Sequence, residues 1–137
     1  MQKRIFFALV MFAFGGCCAT QERDALLLPG PNAPKTYPEL VDRMRQQATL
    51  ATEAFYTDSW QTVEEAALAL EQSARFLTVT KEPPQPLKGK LGSQSELIKK
   101  AARSMRDAAH KQDVKGVNAS LQVLHLHIRK LNPKKVP

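Results

Sequence analysis

The sequence predicts an all-α fold: an antiparallel up-down-up-down four-helix bundle that follows a signal peptide and a Pro-rich tether. Three observations support this prediction. Apolar residues recur with helical spacing in four segments after residue 37, Pro and Gly separate some of those segments, and no segment alternates with period two as a strand would. Residues 38–132 are therefore expected to form the bundle, with helices over 38–57, 59–79, 94–111 and 114–131.

Composition agrees with one globular domain. The 137 residues are 43% hydrophobic and 24% charged, which is typical of a folded protein rather than a disordered one. The two cysteines are adjacent, so they exclude a disulfide framework and a cysteine-rich zinc site. With 20 basic and 13 acidic side chains, the formal net charge is +7.

The first element is a signal peptide over residues 1–16. Lys3 and Arg4 precede an apolar run over residues 5–14, and two glycines follow it. The run is too short for a transmembrane helix, which takes about 20 residues. Cleavage after residue 16 leaves 18 basic and 13 acidic side chains, a net charge of +5. These basic residues are scattered and the protein is exported, so nucleic acid is not an expected partner.

The segment 14–17 (FGGC) resembles a bacterial lipobox. This resemblance implies that Cys17 is lipidated and becomes the first residue of a membrane-anchored protein that faces the periplasm of the bacterial cell envelope. Phe14 stands where lipoboxes prefer Leu or another aliphatic residue, so Cys18 is an alternative acceptor, and cleavage by an ordinary signal peptidase stays open. Residues 17–37 then form a flexible tether, because four breakers lie close together over residues 29–34.

The first two helices follow from apolar stripes. In the first, Pro38 suits the opening turn, and every third or fourth residue from Leu40 to Phe55 is apolar. In the second, Asp58 and Gln61 have the spacing of a capping box. Its stripe is the most regular in the chain and consists of Trp60, Val63, Ala67, Leu70, Ala74 and Leu77.

A connection over residues 80–92 contains three prolines and two glycines, so no helix is expected there. The third helix has a second predicted capping box, Ser93 with Glu96, and a predicted stripe of Leu97, Ala101, Met105 and Ala108. Asp113 is expected to cap the fourth helix. The stripe of that helix is Val117, Leu121, Leu124, Ile128 and Leu131. Residues 133–137 form a short basic tail.

Enzyme signatures are missing: the chain has no Gly-rich phosphate loop, no nucleophile elbow and no HExxH motif. His125 and His127 lie about 200° apart around a helix, so they cannot both coordinate one metal ion, and no zinc site is expected. A basic group on the third helix (Lys99, Lys100, Arg103 and Arg106) is interpreted as a solvated face, with an anionic lipid surface or an acidic partner as the alternative.

Two short segments carry a resemblance. Residues 39–44 (ELVDRM) and 127–131 (HIRKL) are similar to the opening segment and the final histidine segment of the soluble periplasmic b-type cytochrome. Residues 38–132 as a whole resemble the four-helix cytochromes, which also include cytochrome c-prime. The resemblance implies that Met44 and His127 stand at the axial ligand positions of a haem iron. Residues 123–127 (VLHLH) keep a histidine but lack both cysteines of a Cys-x-x-Cys-His motif, so covalent haem attachment is excluded.

The leading expectation is a non-enzymatic, exported cell-envelope lipoprotein. Its cytochrome c-prime-like bundle has lost covalent haem, needs no cofactor and has a structural or protein-interaction role. Its partners would be the membrane, through the anchor, and an envelope protein or a second copy of the chain. The alternative is an electron-transfer protein that holds haem b non-covalently through Met44 and His127. A third hypothesis is a helical sensor or adaptor whose connection over residues 80–92 contacts a partner.

Overall fold

The structure is a computed structural model that describes residues 36–132. The predicted signal peptide, most of the predicted tether and the basic tail lie outside these residues, as do Cys17 and Cys18. The lipidation prediction therefore stays a prediction.

Four α-helices make up most of the described chain. They are α1 (Tyr37–Tyr56), α2 (Trp60–Phe76), α3 (Leu91–His110) and α4 (Val114–Lys130). Every helix begins and ends within three residues of the range that the sequence predicts. Residues 36–132 contain no β-strand. The only β-type pairing among them is an isolated bridge between Thr36 and Lys81.

The helices close around one apolar core. Helix α1 packs against α2 and α4, α2 packs against α3, and α3 packs against α4, with the sparsest contacts between α1 and α4. An all-α four-helix bundle is thus confirmed. Alanines supply much of the core, which lets the helices approach closely. The largest apolar side chains that are fully buried are Leu40, Met44, Val63, Leu70, Leu77, Ile98, Met105, Val117, Leu124 and Leu131.

The predicted stripes are correct in three helices, whereas that of α3 is wrong at one position. Leu97 was expected to face the core but is 42% exposed, and its neighbour Ile98 is fully buried instead. One residue along a helix is a rotation of 100°, so the core-facing row of α3 lies one position later at this end of the helix. Phe55 and Trp60 are partly buried and meet edge to face, with ring centroids 6.0 Å apart, at one end of the core.

Two of the predicted caps are wrong. Asp58 does not cap α2, because its backbone is left-handed with φ 54°, and Ser59 precedes the helix instead. Ser93 lies inside α3, where its hydroxyl donates a hydrogen bond to the Lys90 carbonyl. The predicted cap of α4 is confirmed, since the Asp113 carboxylate accepts from the Gly116 N–H at 3.1 Å.

The capping box of α1 was missed by sequence reasoning. The Thr36 hydroxyl accepts from the Glu39 N–H at 3.4 Å, and the Glu39 carboxylate accepts from the Thr36 N–H at 3.2 Å. Both orphan N–H groups are therefore satisfied, and the helix begins at Tyr37 rather than at Pro38.

Buried polar side chains join the helices in pairs. The Ser73 hydroxyl of α2 donates to the Gln47 side chain of α1 at 2.9 Å, and the Ser95 hydroxyl of α3 donates to the Ala74 carbonyl of α2 at 2.7 Å. Each bond satisfies polar groups that would be costly to bury unpaired. These contacts fix the register of α1 on α2 and of α2 on α3.

The connection between α2 and α3 is partly ordered by its own packing. It contains one 3₁₀ turn over Gln85–Leu87, and the Leu87 side chain is buried at the edge of the core. The last two residues of the predicted connection, 91 and 92, belong to α3. Only part of the segment is therefore free to contact a partner.

Candidate functional site

The two predicted haem ligands occupy different environments. Met44 of α1 is fully buried in the apolar core. His127 of α4 lies half-buried at the α3 side of the bundle, where its Nδ1 is 3.0 Å from the Gln94 side-chain oxygen. Burial lowers the pKa of the His127 imidazole below its ordinary value, and the charge of Lys130 lowers it further.

A haem between these residues would require a slot in the core that exposes the Met44 sulfur on one side and the His127 ring on the other. The described residues do not provide one, because Met44 is completely enclosed by packed side chains and the His127 ring is engaged by Gln94. Neither residue lines the α1–α4 groove described below. The residues as arranged do not fit a haem, so Met44–His127 ligation stays a prediction that requires the bundle to open.

The other two histidines lie beside side chains of neighbouring helices. The His125 Nε2 lies 2.9 Å from the Thr52 hydroxyl of α1, and the His110 Nδ1 lies 3.6 Å from a Glu64 carboxylate oxygen. Within residues 36–132, no three His, Cys, Asp or Glu side chains are grouped as metal ligands.

A groove of about 820 Å³ lies along the seam between α1 and α4. Arg45 and Thr49 of α1 form one wall, and α4 forms the floor and the other wall. Helix α4 contributes Gln122, His125, Leu126, Ile128 and Arg129, and Asn132, two residues after the helix, completes the lining. The volume is in the range of sites that take small molecules or peptide segments.

The groove combines positive charge with an apolar floor. Its lining contains two arginines and no acidic side chain. Arg45 is held by Asp42, one helical turn earlier, at 2.8 Å. Leu126 is 39% exposed, so part of its side chain is available to a ligand. A ligand that places a carboxylate or another anion beside apolar atoms would match both properties.

Sequence reasoning missed this groove. Its walls come from segments about 80 residues apart, and nothing in the local sequence around Arg45 or Arg129 indicates that they line one groove. One available signal was the position of Leu126, an apolar residue two places away from the core positions Leu124 and Ile128.

Comparisons with known proteins add no relative: no family model, no curated protein and no solved structure matches the chain. The similarity to four-helix cytochromes therefore stays an expectation from the sequence. No helix within residues 36–132 is long and apolar enough to cross a membrane. The function must accordingly be argued from the geometry of the bundle itself.

Proposed function

We propose that this chain is an exported, lipid-anchored cell-envelope protein whose four-helix bundle binds an acidic segment of a partner protein in the α1–α4 groove. The observation that carries the proposal is the groove itself, with arginines on both sides, an apolar floor and no acidic lining residue. The role is binding rather than catalysis.

The charges of the groove favour a carboxylate-bearing ligand. A guanidinium binds a carboxylate through two parallel N–H donors, which gives orientation as well as affinity. The guanidinium of Arg129 makes no hydrogen bond or ion pair with another described residue, so its donors are available to a ligand. Arg45 is already positioned by Asp42 and retains most of its five donors.

The apolar floor favours a peptide over a free anion. Leu126 and Ile128 line the groove together with the two arginines, so a bound chain would bury apolar side chains there while its acidic side chains reach Arg45 and Arg129. The seam between α1 and α4 also has the sparsest helix–helix contacts, so a ligand does not need to displace a tightly packed interface.

The up-down-up-down order of the helices is part of the proposal. Tight turns join α1 to α2 and α3 to α4, and connections this short are typical of antiparallel neighbours. Contacts between distant positions support the same order: the Tyr37 hydroxyl at the start of α1 donates to the Leu131 carbonyl at the end of α4, at 2.7 Å.

A binding measurement tests the groove. The chain from residue 19 is titrated against a short fluorescein-labelled peptide of alternating Glu and Leu, and anisotropy reports binding. We expect saturable binding that weakens at least about tenfold in the Arg45→Gln, Arg129→Gln double variant, because each lost charged contact costs about 1 kcal/mol or more.

The matched control is the Lys100→Gln, Lys115→Gln double variant, which removes the same charge from exposed positions away from the groove. It should bind like the wild type. Equal weakening in both variants would mean that net charge alone attracts the peptide, and equal binding of a Lys–Leu peptide would mean that the apolar floor acts without the arginines. Either result contradicts the proposal.

The anchor is tested separately. Expressed in a Gram-negative bacterium, the full chain should be recovered from the membrane fraction with a diacyl-modified Cys17 at its N-terminus, because two acyl chains hold a protein on a bilayer where one does not. Mass spectrometry of the N-terminal peptide reads the modification. Acylation of Cys18 instead of Cys17 would place the anchor one residue later. An unmodified N-terminus further along the chain would show ordinary signal-peptidase cleavage, and the proposed anchor would then be wrong.

A further inference from the structure

A buried carboxylate lies at the interface of α2 and α3, away from the α1–α4 groove. The side chain of Glu71 is only 6% exposed, yet it is charged and faces three arginines. Arg75 follows it by one helical turn on α2, whereas Arg103 and Arg106 come from α3. We call Glu71 and these three residues the arginine cluster.

The guanidiniums converge on one carboxylate. Oε1 of Glu71 accepts from Arg103 Nε at 2.9 Å, from Arg103 Nη2 at 2.9 Å and from Arg75 Nη2 at 3.1 Å. Arg106 Nη1 lies 3.6 Å from the other oxygen, Oε2. Burial alone raises the pKa of the Glu71 carboxyl, but the hydrogen bonds from Arg103 and Arg75 and the charges of Arg103 and Arg106 outweigh it and hold that pKa below its usual range.

The cluster carries more positive charge than Glu71 can balance. Three guanidiniums surround the single Glu71 carboxylate. Neighbouring carboxylates offset part of this charge, because Glu64 and Asp107 line one surface pocket together with Arg106. The excess that remains is therefore on the Arg75 and Arg103 side of the cluster.

The outer faces of the arginines remain available. The side chains of Arg75, Arg103 and Arg106 are 62%, 53% and 39% exposed, although each has one edge turned to Glu71. Each guanidinium has five N–H donors, and Glu71 engages two on Arg103 and one on Arg75. Glu71 thus holds three flexible side chains together, which lowers the entropic cost of gathering them around a ligand.

We propose that the arginine cluster is a binding site for a phosphate group, supplied either by a free phosphate or by the head group of an anionic phospholipid. Several arginines around one anion are a common arrangement for phosphate recognition, because guanidiniums donate in pairs to phosphate oxygens. Glu71 is the positioning residue, and the arginines contact the ligand. This site is independent of the α1–α4 groove and of the peptide proposed to bind there.

The test uses the chain from residue 19, which lacks both candidate lipid-acceptor cysteines, and two probes. Isothermal titration with inorganic phosphate is performed at constant ionic strength set by chloride, and co-sedimentation is measured with phosphatidylglycerol and with phosphatidylcholine vesicles. The Arg75→Gln, Arg106→Gln double variant removes two of the three guanidinium charges and leaves the close Arg103–Glu71 pair in place, so the buried carboxylate keeps its partner. The Lys115→Gln, Lys130→Gln variant is the control, because it removes the same charge from exposed positions on α4, away from the cluster.

We expect saturable phosphate binding by the wild type and the lysine control, weakened at least about tenfold in the arginine variant. A matching loss of co-sedimentation with phosphatidylglycerol vesicles alone would identify a lipid head group, and unchanged co-sedimentation would identify free phosphate. If titration with phosphate releases no more heat than titration with chloride, and all variants bind vesicles equally, the proposed site is wrong. The cluster would then be a structural ion-pair network. Because the peptide titration uses other residues, either proposal can fail without the other.

Discussion

At the scale of single residues, His127 shows how burial changes the behaviour of a titratable group. Its ring sits between α3 and α4, within hydrogen-bonding distance of Gln94, and burial followed by the charge of Lys130 lowers its pKa. The folded protein therefore resists protonation of this ring more than the unfolded chain does.

This difference predicts a loss of stability in mild acid. As the pH falls through the ordinary histidine pKa of about 6.5, the unfolded chain takes up a proton that the folded one does not, so the free energy of unfolding decreases. The stability that the neutral His127 ring contributes is fully present above that pH, and it decreases as the pH falls towards the lower pKa of the folded state. In His127→Gln, urea denaturation at about pH 5 and about pH 7.5 should show a smaller difference between the two pH values than in the wild type.

Gln94→Ala is the matched control for this prediction. It removes the hydrogen-bond partner but keeps the titrating ring, so it should lower stability and retain a dependence on pH between these values. An unchanged difference in His127→Gln would show that other groups produce the acid sensitivity.

At the scale of elements, the two short turns of the bundle are built in the same way. Asp58 after α1 and Gln112 after α3 both have left-handed backbones, with φ values of 54° and 53°. In each turn the next residue donates its N–H back into the helix: Ser59 to the Ala54 carbonyl and Asp113 to the Ala108 carbonyl, both at 2.8 Å. This is the bonding pattern of a Schellman motif, in which glycine usually occupies the left-handed position.

A stabilising substitution follows from these turns. The left-handed backbone costs a residue with a side chain about 1–2 kcal/mol, and glycine avoids that cost while losing somewhat more entropy on folding. Gln112→Gly should therefore raise the free energy of unfolding by roughly 0.5–1 kcal/mol, as measured by urea denaturation. Lys111→Gly is the control: its φ is −90°, so glycine gains nothing there and should destabilise the protein. A neutral or destabilising Gln112→Gly would contradict the strain argument.

The same turns explain which element boundaries could be predicted. Apolar spacing located all four helices, because the face that each helix buries consists of apolar residues that recur every three or four positions. Asp58 was mistaken for a cap because Asp is frequent there, whereas only the fold reveals that it completes the turn after α1. Leu97 and Ile98 are adjacent and both apolar, so contacts with α2 and α4, rather than periodicity, decide which of them is buried.

At the scale of the whole molecule, the sites depend on contacts that no local pattern contains. The α1–α4 groove joins Arg45 to Arg129, and the arginine cluster joins Glu71 to Arg103, each pair from different helices. The basic group on α3 was visible in the sequence and was interpreted as a solvated face or as an anion-binding surface. The fold divides that group: Lys99 pairs with Glu96, whereas Arg103 and Arg106 turn towards a buried carboxylate on α2.

The completeness of the core bears on the haem prediction. Fully enclosed Met44 contributes to core packing, and a haem would have to displace the side chains around it, at a cost that ligation by Met44 and His127 must exceed. If the core stays closed, hemin added to residues 19–137 should give the absorption spectrum of free hemin.

With a closed core, Met44→Leu should remain folded and change the free energy of unfolding by less than about 1.5 kcal/mol, because the two side chains have similar volumes. A sharp Soret band that His127→Ala or Met44→Leu abolishes would instead establish non-covalent haem binding and show that the bundle opens to admit it.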